Sequence, residues 1–493
     1  MITDYLFVFA QKHDEFRVPE VLSVAELYDI KIAFYGIPAE LDVSRPFMVL
    51  GLESEEDAKK LARKCILIKS VHEFYGRGKT YEDLFAQTQQ NGHRWAKYVQ
   101  ETSFKFKVEA YNHSIPQYRQ KEVVESFAWM DFLGEINMRN PEITLCVFEE
   151  CEDPDKHGTT RHKHEGDGSF VEIFFGRLIE EGSARKLVQT FDVKKRTYYG
   201  NTSMEAEISL LMANQTLASP GKLVYDPFIG TGSMAYTSAY FGAYVYGSDI
   251  DGRQMRGKDK TPGIMRAAAQ YGVQQRIIDL CTFDVTRNPW RCGELFDAIV
   301  TDPPYGVRAG AKRLGRKNPL TRPSQQYATN RQDDQPYIPP TKPYELSALA
   351  TDLVLLARHM LKPGGRLVFF LPTVTDEYAE LDLQTLLCVG MEVIANSLQD
   401  FGSWGRRLIT IKKTTSDKFP PPTFDTMPFI AATETSAHIP ATETSAHIPA
   451  TETSAHIPAH KDFREKYFQG FKKGEMTDIL HVAGKHSPDV LRS

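Results

Sequence analysis

The sequence predicts an α/β protein whose carboxyl-terminal half is a Rossmann-like, doubly wound parallel sheet preceded by two smaller α/β modules. Three observations carry this. From about residue 195 strands and helices alternate, the pattern of a parallel sheet with helices on both faces. The first ninety residues read β-α-β-β-α-β, the ferredoxin-like order. Phe296–Val300 is an apolar, β-branched run interrupted only by Asp297 that reads as a buried parallel strand, cut off by Thr301-Asp302-Pro303-Pro304-Tyr305-Gly306.

At 493 residues the chain exceeds the roughly 250–300 that one core supports, so it divides into domains. With 41% hydrophobic and 25% charged residues it has the makings of a packed core. A net charge of -5 gives no global signal for nucleic acid, so any such contact must come from local patches. Six cysteines in this length do not form a disulfide framework. The apolar run Tyr5–Ala10 is too short for a signal peptide, and no stretch reaches membrane-spanning length, which together predict a cytosolic protein.

In the first module, residues 1–90, strands are expected at Tyr5–Phe9, Ile32–Tyr35, Phe47–Leu52 and Cys65–Val71, with helices at Val18–Tyr28 and Glu55–Lys64. The second, residues 91–190, opens with Ser103–Ala110, where Lys105 and Lys107 alternate with phenylalanines. A helix at Lys121–Leu133 and strands at Glu142–Phe148 and Phe170–Leu178 complete it. Cys146 and Cys151 with His157, His162 and His164 do not follow a zinc spacing, and Cys146 falls inside a strand, so no metal site is expected.

The doubly wound domain, residues 191–415, begins after the basic cluster Lys194-Lys195-Arg196 with a helix at Glu205–Ala218. Strands follow at Leu223–Tyr225, Ala243–Ser248, Ile277–Phe283, Phe296–Val300, Arg366–Leu371 and Met391–Asn396, with Arg407–Lys412 as an antiparallel edge strand. Residues 416–460 form a linker containing Ala-Thr-Glu-Thr-Ser-Ala-His-Ile-Pro three times over 432–458; one Ile per unit cannot build a core, so disorder is expected. In the tail, residues 461–493, Phe463, Tyr467, Phe468 and Phe471 mark one face of a short helix.

Asp226, Asp249 and Asp284 each end a strand, and in a doubly wound sheet such ends converge on one crevice. Gly230 and Gly232 let the backbone approach a ligand closely, and an acidic residue about twenty positions on, Asp249, is placed for ribose hydroxyls. The third glycine of a dinucleotide fingerprint is replaced by Ala235, which disfavours nicotinamide and favours S-adenosyl-L-methionine. Asp284 is positioned to accept from the adenine amine. At Asp302-Pro303-Pro304-Tyr305, carboxylate and carbonyl acceptors lie beside an aromatic face, a setting for a planar base with an exocyclic amine. Stacking on Tyr305 is worth about 1–3 kcal/mol, and alignment of the amine with a methyl donor roughly 7–11 kcal/mol. Between Tyr305 and Gln332 there is no acidic residue, whereas Arg308, Lys312, Arg313, Arg316, Lys317, Arg322 and Arg331 suit a phosphate backbone.

Gly200-Asn201-Thr202-Ser203-Met204, Asp226-Pro227-Phe228-Ile229-Gly230-Thr231-Gly232-Ser233 and Thr301–Gly306 together resemble the catalytic subunits of the eukaryotic tRNA (guanosine-10 N2)-methyltransferase family, which are THUMP-domain enzymes. The likeness spans nearly all of residues 1–413, including Phe174-Phe175-Gly176-Arg177 and Lys194-Lys195-Arg196; the tandem repeat departs from it. The resemblance implies a ferredoxin-like plus THUMP half that grips tRNA, a methyltransferase domain using S-adenosyl-L-methionine, and a small zinc-binding activator subunit. It groups Thr202 and Phe228 with the cofactor-binding residues. A DNA adenine-N6 methyltransferase would share the Asp-Pro-Pro-Tyr turn but would require another role for the amino-terminal half, and a non-catalytic RNA-binding scaffold would not need both cofactor and acceptor motifs intact.

Overall fold

The computed structural model describes residues 2–35, 41–152, 170–257, 263–304, 311–315, 341–344, 346–373, 386–402 and 404–423. Tyr305, His157, His162, His164, the tandem repeat and the tail lie outside them. The described residues form two compact units. One holds the chain up to Asp192 together with Glu205–Leu217; the other holds Val193–Met204 and the chain from Ala218.

The amino-terminal unit is one continuous sheet. β1 (Thr3–Phe9), β2 (Ala33–Phe34), β3 (Phe47–Leu52) and β4 (Ile68–Gly78) lie in the order β2-β3-β1-β4, with helices Arg17–Tyr28 and Glu55–Lys64 between them. The second helix shows why the sequence folds so locally. Ser54 caps it by accepting the Asp57 amide at 3.1 Å, acids fill its first turn, and Arg63 and Lys64 end it.

The expected boundary between two modules is not a boundary between sheets. β4 runs past Val71 to Gly78 and pairs on its free side with β7 (Glu172–Glu181), which continues through β6 (Ile143–Glu150) to β5 (Phe104–Tyr111). Arg177 clasps the join: its Nε donates to Glu73 at 2.9 Å, its Nη2 to Glu55 at 2.7 Å, and the guanidinium lies 5.0 Å from the Tyr98 ring centroid. On β5, Phe104 is buried and Lys107 exposed, as the alternation requires, but Lys107 is ion-paired with Glu109 at 2.6 Å.

Helix Ala206–Gln215 is buried along its whole length and groups with this unit, not with the strand that follows it. Its Asn214 donates to Glu20 Oε1 at 2.7 Å and to the Lys64 carbonyl at 3.1 Å. Glu20 also accepts the Ile66 and Leu67 amides; burial nevertheless pushes it up to about 7.

In the second unit β8 (Leu223–Asp226), β9 (Tyr244–Asp249), β10 (Ile277–Thr282) and β11 (Phe296–Thr301) belong to a seven-stranded sheet. A small ribbon, β12 (Lys312–Leu314) with β13 (Thr341–Pro343), stands apart from it. β14 (Leu361–Thr373), β15 (Met391–Asp400) and β16 (Gly405–Lys413) complete the sheet in the order β10-β9-β8-β11-β14-β16-β15. The run from β10 to β14 is parallel. This is the doubly wound arrangement, with strand order reversing beside β8. Tyr225, Phe296, Val354, Leu367 and Ile409 are among the buried side chains of its core.

β16 corrects one expectation. It is antiparallel, but it lies between β14 and β15 and is not an edge. Arg407 and Lys413 are buried, and Lys413 bonds Glu294 at 3.2 Å and the Leu361 carbonyl at 2.9 Å. The sheet's edges are β15 and β10.

Candidate active site

The site grows from the turn after β8. Asp226 ends that strand with no solvent exposure, and one of its oxygens, Oδ1, accepts both the Phe228 amide at 3.1 Å and the Thr301 hydroxyl at 2.9 Å. The other oxygen, Oδ2, is buried without a hydrogen-bond partner. Burial pushes Asp226 up to about 8, and the nearby carboxylates of Asp249 and Asp302 add to the rise.

The chain then turns through Gly230 and Gly232, at φ 51° and 87°, into helix Ser233–Tyr240. At Gly232 a Cβ would also lie 2.9 Å from the Tyr236 ring, so both conformation and space call for glycine. Asp249 holds this turn from the end of β9: its Oδ2 accepts the Gly230 amide at 3.0 Å and its Oδ1 the Asp251 amide at 2.8 Å. Burial raises its carboxyl group above the usual range.

The segment before the domain braces the same turn. Ser203 Oγ meets Thr231 Oγ1 at 2.7 Å, and the Met204 amide donates to Ser233 Oγ at 3.1 Å. Thr202 beside them is exposed. Arg196, read in the sequence as part of a basic cluster, is buried: it donates to Ser233 Oγ at 2.8 Å and lies 4.9 Å from the Tyr236 ring centroid.

Asp284 is engaged by its own chain. It caps the turn Val285–Arg287, accepting the Thr286 amide at 2.8 Å and hydroxyl at 2.9 Å, and its second oxygen accepts the Leu314 amide of β12. The ribbon β12–β13 therefore folds back onto this wall, where Tyr344, Ala311 and Leu349 pack against Phe228 and Val285. Of the basic loop, Lys312 is exposed and the Arg313 guanidinium lies 5.2 Å from the Tyr344 ring centroid; the other five cations lie outside the described residues.

At the end of β11, Asp302 is partly exposed, Pro303 buried and Pro304 half-buried. β11 pairs with β8, so the Asp302 turn and the Asp226 turn leave adjacent strand ends, joined by the Thr301 bond. Arg406 of β16 approaches Asp302, with Nη1 3.9 Å from Oδ2. Arg406 was not legible at this site from the sequence, because it arrives only through the antiparallel insertion of β16. Among the described residues no cluster of His, Cys, Asp and Glu could hold a metal ion, and no helix is long and apolar enough to cross a membrane.

Comparison with known proteins follows the same division. The Tmrp11 THUMP N-terminal domain model matches residues 3–185 and the RMKL-like methyltransferase domain model residues 194–322. The tRNA (guanine(10)-N(2))-methyltransferase of Saccharomyces cerevisiae is 35% identical over 418 residues, covering 82% of this chain and 92% of its own. The chain belongs to the tRNA (guanine(10)-N(2))-methyltransferase family. Family members of that name from Schizosaccharomyces pombe and Homo sapiens are 34% and 33% identical, over 83% of this chain and 89% and 88% of theirs. One family model spans both small amino-terminal modules, in keeping with their single sheet. The methyltransferase model takes in the glycine turn and the Asp302 turn, while Arg406 lies beyond its end.

Proposed function

We propose that this chain transfers a methyl group from S-adenosyl-L-methionine to the exocyclic N2 amine of guanosine-10 in tRNA. The observation that carries the reading is the lone oxygen of Asp226, buried without a partner at the strand end beside Asp302. Such an oxygen fits the ammonium of the cofactor's aminoacyl end, which offers donors and a positive charge together. At Gly230 a Cβ would meet nothing nearer than 3.9 Å, so the backbone of this turn can be approached there, and Asp249 keeps lone pairs for ribose hydroxyls beyond the two amides it accepts. Asp284 already accepts three internal donors, which makes its adenine contact the weakest of these assignments. Thr202 and Phe228 would border the same pocket.

The bound cofactor supplies an electrophilic methyl carbon and a sulfur that keeps the electron pair of the broken bond. An amine conjugated with a purine ring is a poor nucleophile. Asp302 accepts one of its N–H bonds and the Pro303 carbonyl the other, which turns the nitrogen lone pair toward the methyl carbon. As the new N–C bond forms, the proton shed by nitrogen passes to Asp302. Pro304 fixes the turn, and Tyr305 supplies the stacking face.

We also propose that the activator subunit implied by the family resemblance adds a strand to β10. This edge exposes Ile278 at 53%, and Tyr240 and Tyr244 lie exposed on neighbouring elements. The Leu280 amide is at present held by the Asp279 carboxylate at 2.7 Å, which a partner strand would have to displace.

Mass spectrometry of nucleosides tests the function. The chain, co-expressed with the activator, is incubated with tRNA and labelled S-adenosyl-L-methionine. Label is expected in N2-methylguanosine at position 10. Label on adenine of duplex DNA, or none on tRNA, would overturn the reading.

A further inference from the structure

Of the basic cluster Lys194-Lys195-Arg196, the last residue is buried, and its backbone is pinned on both sides. Gln270 donates to the Lys195 carbonyl at 2.9 Å and accepts the Thr197 amide at 2.8 Å. The Arg196 guanidinium is thereby delivered to the glycine turn. Nη1 donates to Ser233 Oγ at 2.8 Å, and Ser233 is the residue after Gly232. The guanidinium also lies 4.9 Å from the Tyr236 ring centroid. The hydroxyl of that ring donates at 2.7 Å to the carbonyl of Thr231, the residue between the two glycines. Ser233 Oγ accepts the Met204 amide as well, at 3.1 Å, so one oxygen ties the turn to Gly200–Met204, the stretch that carries Thr202.

We propose that Arg196 is the positioning residue of the cofactor turn: through Ser233 and Tyr236 it holds Gly230–Ser233 in the shape that receives S-adenosyl-L-methionine. The inference rests on the reading of this turn as the cofactor site. Two observations carry it. Gly230 and Gly232 make the turn possible and also leave it soft, since glycine has the most backbone freedom to lose. A turn held beforehand spares the cofactor that ordering cost. The second observation is the company the guanidinium keeps. Among the described residues its partners are the hydroxyls of Ser233 and Tyr271 and the rings of Tyr236 and Tyr271, with no carboxylate. Its Nη2 is buried without a partner. A buried cation without a counter-ion costs the fold stability. What it contributes is the shape of the turn.

The test compares Arg196→Met, Arg196→Lys, Ser233→Ala and the double variant of Arg196→Met with Ser233→Ala, in the full chain co-expressed with its activator. Calorimetry with S-adenosyl-L-methionine gives cofactor affinity, tRNA methylation gives kcat and the KM of each substrate, and Tm is read alongside. Arg196→Met keeps a long apolar stem and removes every donor. It is expected to weaken cofactor binding about tenfold and to raise the KM for cofactor as much. At saturating cofactor kcat should stay near that of the parent, as should the KM for tRNA and Tm. Arg196→Lys, which can still donate to Ser233, should recover most of the affinity. The double variant should lose little beyond the larger single loss, because both changes break one hydrogen bond. Unchanged affinity in Arg196→Met, no recovery with Lys, fully additive losses, or a fall in kcat with affinity unmoved would overturn the proposal. Where Arg196→Met unfolds at the assay temperature, Ser233→Ala decides: weaker binding at the parent's Tm supports the proposal, and unchanged binding or a matching loss of Tm overturns it. Unchanged affinity in Asp226→Asn would instead remove the reading of the turn as the cofactor site.

Discussion

The Thr301 hydroxyl donates to Asp226 Oδ1 at 2.9 Å, tying the last residue of β11 to the last residue of β8. The residue after Thr301 is Asp302, so one buried bond ties the Asp226 turn to the Asp302 turn. Thr301→Val keeps the shape and removes the donor. It should cost about 1–3 kcal/mol in stability, since Asp226 would lose a buried partner, and it should lower kcat along with cofactor affinity. Unchanged denaturation midpoints would show the bond to be dispensable.

Asp226 also makes a pH prediction with a definite sign. Its folded value, about 8, lies above the ordinary aspartate value of about 3.9 expected in the unfolded chain. Below about pH 4 both states are protonated and burial brings no penalty. As pH rises from about 4 to about 8 the unfolded state gives up its proton first, so stability falls, and the full penalty is present above about 8. Asp226→Asn removes it. The variant should gain Tm relative to the parent at pH 8 more than at pH 4.5, while losing cofactor binding. A Tm difference independent of pH would contradict the burial argument.

The same carboxyl group should give up a proton when an ammonium group is placed beside it. Calorimetry of S-adenosyl-L-methionine binding at pH 7, in two buffers of different ionisation enthalpy, should report net proton release. Asp226→Asn should abolish that release. Proton uptake in the parent would place the ammonium elsewhere.

Asp302→Ala should cost about a hundredfold or more in rate, the range for one preorganised polar group, with cofactor affinity near normal. Asp249→Ala should do the reverse. Because Asp249 holds the Gly230 and Asp251 amides, its loss should weaken cofactor binding by about 1–3 kcal/mol and loosen the glycine turn as well. Calorimetry on both variants separates the roles, and equal affinity losses would refute the division.

Leu280→Pro removes an amide from the exposed edge of β10 and should abolish co-purification with the activator. Asp279→Ala frees that amide from its internal acceptor and should strengthen association. A Leu280→Pro chain that still co-purifies would move the interface away from this edge.

Much of the site was legible because its signals are local. A run such as Phe296–Val300, apolar but for Asp297, reads as a buried strand, two prolines must end it, and glycines between a strand and a helix must turn there. Strand ends then converge by topology alone. What was not legible depends on distant partners. The charges of β16 look the same on an edge as inside a sheet, and only Glu294 and the Leu361 carbonyl reveal that Lys413 is buried. Likewise His72 and Glu73 look like the end of a strand, but β7 buries them and carries β4 onward. For Asp284 a turn cap and a ligand contact predict the same residue, and the structure supplies the cap.

Helix Ala206–Gln215 has a consequence for synthesis. The amino-terminal unit draws this helix from beyond Val193–Met204, a stretch that belongs to the other unit. Glu20 therefore waits for Asn214, and a ribosome must translate well past the last strand of the first sheet before the carboxylate meets its side-chain donor. Domains that fold as they emerge usually close before the next begins. Here the first cannot close until part of the second has been made. A truncation at residue 195 would likewise strand ten buried residues without the unit they complete.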